Sequence, residues 1–302
     1  KNKILDKLYN GILNSERPLL LAGHGVRLSD SAEKLRLFIR KMKIPTVFTW
    51  NACDILDFNN EFYIGKPGNV ANRAANFAIQ GCSLFVSIGA RLDNITTAYN
   101  IHSFARNASE KWVLDIDQNQ LKVCRLEGST KLNIDINYAL GYLNNKKELE
   151  PKKEWMNHCH FLKKKFDTCD GSIPENKLFL THFEVAKLIS NEIPENSTII
   201  TGSSGLAIEA FYVSYEPKKN QRILHTSGLG AMGYGLPAFI GALESKKSEN
   251  NRFLIESDGS LMLNLQELQT LKTRNKNKFK ILILNNNGYC SIRATQKNYF
   301  GG

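Results

Sequence analysis

Two apolar runs, Phe253-Leu254-Ile255 and Ile281-Leu282-Ile283-Leu284, each break off into a polar turn. Ser257-Asp258-Gly259-Ser260 follows the first, and Asn285-Asn286-Asn287-Gly288-Tyr289 follows the second. Short apolar runs bounded by turn residues read as buried strands, and a helical stretch between them makes the strands parallel. The chain is thereby committed to an α/β sheet with both turns at its carboxyl edge, where open sheets bind ligands. Asp258 falls at the end of the first strand. Gly259 and Ser260 open the next helix, so their backbone N–H groups suit phosphate oxygens. The second turn brings asparagine carbonyls and exposed backbone carbonyls to the same edge. One carboxylate, one amide oxygen and one backbone carbonyl form a hard oxygen set. Such a set leaves positions open for phosphate and water, which is how Mg²⁺ is usually held.

The same alternation runs through the N-terminal half. Pro18 to Ala22 reads as a strand ending in Gly23-His24-Gly25, and Ser31 to Lys43 as a helix with Leu35, Leu37, Phe38 and Met42 apolar. Strands at Thr46–Thr49, Leu84–Ile88 and Trp112–Ile116 enclose a helix over Ala71–Gln80. Alternation of this kind predicts parallel sheets with helices on both faces. Residues 146–177 are charged, carry prolines at both ends and lack a strand pattern, so they read as a basic linker with helical content. The expected architecture is α/β, with two doubly wound parallel-sheet domains over residues 1–145 and 178–302. In the second, Ile199-Ile200-Thr201 leads into Gly202-Ser203-Ser204-Gly205, a strand-to-helix turn whose N–H groups suit a second face of a diphosphate.

The net charge of +11, from 40 basic and 29 acidic residues, raises the question of nucleic acid. The lysines are dispersed, with short runs only at 146–147, 152–153 and 163–165, and no nucleic-acid motif accompanies them. The expectation is no nucleic-acid partner. No apolar run approaches the roughly 20 residues of a membrane helix, and the first residues lack the apolar core of a secretory signal. Six cysteines are scattered without CxxC spacing, which fits reduced thiols and a cytoplasmic setting. His158-Cys159-His160 with Cys169 matches no standard zinc spacing.

SDGSLMLNLQELQTL together with KILILNNNGY resembles the cofactor motif of thiamine diphosphate enzymes, specifically the acetolactate synthase branch. There, Gly-Asp-Gly is followed about one βα unit later by Asn-Asn. The resemblance implies thiamine diphosphate and Mg²⁺, with Asp258, the Asn286 side chain and the Gly288 carbonyl as metal ligands. Asn285 and Asn287 are the neighbours most easily confused with the ligand. Gly202, Ser203, Ser204, Gly259 and Ser260 would meet the diphosphate. SGLGAMGYGLP, residues 227–237, implies that Gly230 offers its carbonyl to the aminopyrimidine and that Met232 is the wedge bending the cofactor into a V. Ser257 stands where the family has its first glycine.

RPLLLAGHGVRL, IPTVFTWN, FYIGKPGNVANRAANFAIQGCSLFVSIGARLDN and VLDID are similar to the family's central, Rossmann-like domain, which in this branch holds the ADP end of FAD. The implied cofactor residues are Gly23 and Gly25 near phosphate, Gly89, Arg91 and Asp93 along the cofactor, and Asp115 and Asp135 towards adenosine. Ile95 stands where flavin-binding members often carry an arginine. The implied activity is decarboxylation of a 2-oxo acid such as pyruvate and transfer of its two-carbon unit to an acceptor, by a homodimer or tetramer. Family members supply a glutamate to the pyrimidine from another α/β domain, and no residue of this chain matches it. The chain is therefore expected to be a fragment, inactive by itself, with no catalytic residue assigned. GYCSIRATQKNYF is most similar to relatives in surface-polysaccharide sugar pathways. The alternatives are such a carboligase, a non-catalytic cofactor-binding or scaffolding fragment, and a basic nucleic-acid-binding protein.

Overall fold

The computed structural model describes residues 1–167, 178–202, 205–226, 228–245, 251–274 and 279–302. The chain divides into two compact units, Lys1–Asp170 and Gly171–Gly302. Each is an α/β unit built on a parallel sheet.

In the first unit the strands are β1 (Pro18–Ala22), β2 (Thr46–Phe48), β3 (Tyr63–Gly65), β4 (Leu84–Ile88), β5 (Glu110–Asp115) and β6 (Ser129–Asn133), in spatial order β3-β2-β1-β4-β5-β6. All five pairings are parallel. Every residue of β1 and β4 is buried, as central strands covered on both faces require. The strand order reverses between β1 and β4, so the turns after them meet at the switch point. There Gly23 N donates to Ile88 O at 3.0 Å and Gly25 N to Gly89 O at 2.8 Å. A Cβ on Gly23 would lie 2.3 Å from Ala90 Cα, so the two turns pack backbone against backbone and glycine is obligatory.

The segment expected as a linker contributes to this unit. Lys153–Lys165 is a helix burying Trp155, Met156, Cys159 and Leu162, a helical spacing that lines one face. Trp155 packs in the core with Leu19 and Phe85, and its Nε1 donates to Pro18 O at 2.8 Å. Lys163 does not simply face solvent: Nζ donates to Phe58 O and Tyr63 O at 2.6 and 2.9 Å. Of the His158-Cys159-His160 and Cys169 group, His158 stacks on Trp155, His160 Nε2 bonds Glu61 O, and Cys169 lies outside the described residues.

The second unit holds β7 (Thr198–Thr201), β8 (Arg222–Leu224), β9 (Arg252–Ser257) and β10 (Phe279–Leu284), in order β10-β9-β7-β8 and all parallel. The chain steps from β7 to β8 on one side, then crosses to β9 on the other. The carboxyl ends of β7, β9 and β10 therefore lie side by side, with the switch point between β7 and β9. Ile200, Leu236, Phe239, Leu254 and Leu271 form the core beneath. No helix among the described residues is long and apolar enough to cross a membrane.

Candidate cofactor site

Asp258 follows β9 directly, and residues 285–289 follow β10. Asn287, Gly288 and Tyr289 are consecutive left-handed residues, with φ of 60°, 75° and 46°. This coil turns the backbone back on itself, and Gly288 N donates to Asp258 Oδ2 at 2.7 Å. The Tyr289 ring closes over Gly259, where a Cβ would come within 3.2 Å of Cε1. The two turns are thus one structure.

Their free oxygens distinguish the three asparagines. Asn285 Oδ1 accepts from Asn287 N at 2.9 Å, which closes a local turn. Asn287 is exposed. Asn286 Oδ1 is buried and accepts nothing, and so is Asp258 Oδ1. Buried oxygens are ordinarily paired, so two orphans on tied turns call for an electrophile. Hard, acceptor-only atoms of this kind fit a divalent cation, with the remaining positions left to oxygens from outside the protein. Among the described residues no cluster of three His, Cys, Asp or Glu side chains competes as a metal site. Ser257 has φ of −93°, a conformation that needs no glycine.

A family assignment agrees with this donor set. The description "Thiamine pyrophosphate enzyme, C-terminal TPP binding domain" matches residues 201–302, and "Thiamine pyrophosphate enzyme, central domain" matches residues 5–131. The chain belongs to the thiamine pyrophosphate enzyme family. It is 29% identical to the large subunit of acetolactate synthase isozyme 2 of Escherichia coli K12, over 96% of this chain and 50% of that protein. It is 28% identical to the acetolactate synthase large subunit of Cyanidium caldarium, over 98% and 50%. Against the chloroplastic acetolactate synthase 2 of Nicotiana tabacum it is 30% identical over 94% and 42%. The chain spans about half the length of the curated relatives it matches.

In this thiamine pyrophosphate enzyme chain the glycine loop is also anchored. Gly230 is left-handed at φ 59° and Met232 is half-buried. Gly233 N donates to Ser260 Oγ at 2.9 Å, so that hydroxyl is already engaged within the protein. Gly202 follows β7 and donates to Ile255 O at 2.9 Å. Ser203 and Ser204 lie outside the described residues.

Glu256 is not among the residues that the sequence assigns to the site, and the structure shows where it lies. It is fully buried on β9, and its Oε1 accepts from Ser257 N at 3.0 Å. A Cβ on Gly202 or Gly235 would lie 2.0 Å from one of its oxygens. Burial pushes its carboxyl up, against the Ser257 amide, the Ser260 hydroxyl and the Gly235 amide, which favour the anion. The signal in sequence was an acid inside an apolar strand, flanked in space by glycines that are distant in the chain.

In the first unit, Gly23, Gly25 and Gly89 sit at the β1/β4 switch point, where their shared role is turn packing. Arg91 is exposed. Asp93 Oδ1 accepts from Thr96 N at 2.7 Å, and Asp115 Oδ1 accepts from Asp117 N at 2.9 Å. Asp135 caps the helix Ile136–Leu143 through Tyr138 N. Each acid thus supports a local turn or cap.

Proposed function

We propose that this chain carries the cofactor-binding part of a thiamine diphosphate- and Mg²⁺-dependent carboligase of acetolactate synthase type, which acts on a pyruvate-like 2-oxo acid. The observation that carries the reading is the pair of buried, unpartnered oxygens, Asp258 Oδ1 and Asn286 Oδ1, on turns joined by the Gly288–Asp258 bond. Asp258, Asn286 and the Gly288 carbonyl would hold the cation. Gly202, Ser203, Ser204, Gly259 and Ser260 would border the diphosphate, and Gly230 and Met232 would set the ring. When bound, the cofactor supplies the stabilised carbanion that 2-oxo acid decarboxylation requires, and the protein supplies binding, orientation and electrostatics. The relatives are named as large subunits, which supports an assembly of more than one chain; a homodimer or tetramer is part of the proposal.

Calorimetric titration of thiamine diphosphate into the protein, with Mg²⁺ and with chelator, tests this. Binding is expected only with the cation and should be lost in Asn286→Ala. Equal binding in chelator would remove the metal from the reading. Because the acid that family members direct at the pyrimidine matches no position here, the 302-residue chain by itself is expected to bind cofactor without releasing carbon dioxide from pyruvate. The first unit is proposed as a nucleotide site for the ADP end of FAD. Support for that rests on its strand order and the switch point between β1 and β4.

A further inference from the structure

Gly233 is held on both of its backbone groups by side chains from one short stretch. Its N–H donates to Ser260 Oγ at 2.9 Å, and its carbonyl accepts from Asn264 Nδ2 at 2.8 Å. Asn264 is itself oriented, because its Oδ1 accepts from Gln266 Nε2 at 3.1 Å. The fit leaves no slack. Gly233 is left-handed at φ 83°, and a Cβ there would lie 2.8 Å from Asn264 Nδ2 and 3.0 Å from Leu263 Cβ. Ser260 is buried in the helical turn that begins at Asp258, and Asn264 ends the 3₁₀ turn that follows. Two residues further along the loop, Gly235 abuts the Glu256 carboxylate.

We infer that Ser260 and Asn264 are positioning residues, which clamp Gly233 and so fix the loop bearing Gly230 and Met232 to the turn bearing Asp258. The inference rests on the proposed thiamine diphosphate reading for what the loop receives. The Asn264 half of the clamp takes no part at the diphosphate end, where Asp258 and the turn after β10 are tied by the Gly288–Asp258 bond. Its effect falls on the ring end. A loop that must be ordered on binding scales apparent affinity by the fraction already in place, so the smaller that fraction the greater the loss. A clamped loop avoids that loss for a ligand with rings, and it is irrelevant to a ligand that ends at the diphosphate.

Two variants and two probes test this. Ser260→Ala removes the acceptor for Gly233 N–H. Asn264→Asp keeps the side-chain shape, removes the donor and sets a carboxylate against the Gly233 carbonyl. Hydrogen exchange in cofactor-free protein should be faster across 228–235 in both variants. Calorimetry on Asn264→Asp should show thiamine diphosphate with Mg²⁺ weakened by about ten-fold, the worth of one such hydrogen bond, while inorganic pyrophosphate with Mg²⁺ binds as in wild type. Asn264 is partly exposed, so its variant provides a folded test if Ser260→Ala does not fold. Unchanged exchange in 228–235 would overturn the clamp. Equal weakening of both probes would overturn its positioning role and leave a general structural one. If wild type fails to prefer thiamine diphosphate over pyrophosphate, the cofactor reading fails, and the exchange data still decide the clamp.

Discussion

Asp258→Asn separates a metal ligand from a structural carboxylate, because the two roles differ in when the substitution hurts. Oδ2 accepts from Gly288 N while Oδ1 is buried and unpartnered. Asparagine keeps one carbonyl oxygen for Gly288 and places its NH₂ where Oδ1 stood. The bond to Gly288 loses its charge assistance, roughly 1 kcal/mol. Against that, the unpaired buried group becomes a neutral amide, which costs roughly 1–3 kcal/mol where an unpaired charge costs more. The two changes offset, and the cofactor-free variant should melt within a few degrees of wild type.

With cofactor the balance changes. Removing a partner behind a metal ligand already lowers metal affinity 10–100-fold, so altering the ligand itself should reach about 100-fold, or about 2.7 kcal/mol. At ligand concentrations about 100 times the wild-type Kd, binding stabilises wild type by about 2.7 kcal/mol. The variant, then near its own Kd, gains only about 0.4 kcal/mol. For a unit of this size the difference is roughly 10 °C in Tm. Differential scanning calorimetry of both proteins, with and without Mg²⁺ and thiamine diphosphate, reads all four values. An equal cofactor-induced rise in the two proteins would refute the ligand role. So would a large loss of stability in the cofactor-free variant with the cofactor-induced rise intact.

Three further outcomes are expected. If the first unit binds FAD, the protein takes up the flavin and shows its visible absorbance, and Arg91→Ala weakens that uptake; preferential binding of ADP over FAD would count against it. Burial raises the Glu209 carboxyl above its ordinary value of 4.5, so its contribution to stability is complete below that value and is lost as pH rises through the raised folded-state value. Urea midpoints for Glu209→Gln should therefore match wild type in acid and exceed it increasingly above pH 4.5, and a constant difference across pH would contradict the assignment. Trp155→Ala should destabilise the first unit by roughly 3–5 kcal/mol, the usual loss for a buried aromatic, and a change under about 1 kcal/mol by urea unfolding would mean that the helix Lys153–Lys165 is only lightly docked.

How legible each part was in the sequence follows from where its determinants lie along the chain. β1 and β4 were plain because all their residues are buried, so apolarity alone marks them. β6, Ser-Thr-Lys-Leu-Asn, is an edge strand with only Leu132 buried, and it left no apolar signal. The helix Lys153–Lys165 was masked by its lysines, whose charge suggested a solvated linker although its opposite face enters the core. The turns that carry Asp258 and Asn286 were legible because a strand end and a fixed spacing define them. The choice among Asn285, Asn286 and Asn287 was not derivable from residue type, since it depends on which oxygen a left-handed turn buries. Ser260 and Asn264 carried least warning, because their partner is the backbone of a glycine some thirty residues upstream, and a backbone acceptor has no side-chain signature. Pattern reading therefore finds the two turns at the sheet's carboxyl edge. The groups that hold the loop in place emerge only when the hydrogen bonds of each backbone amide and carbonyl are traced.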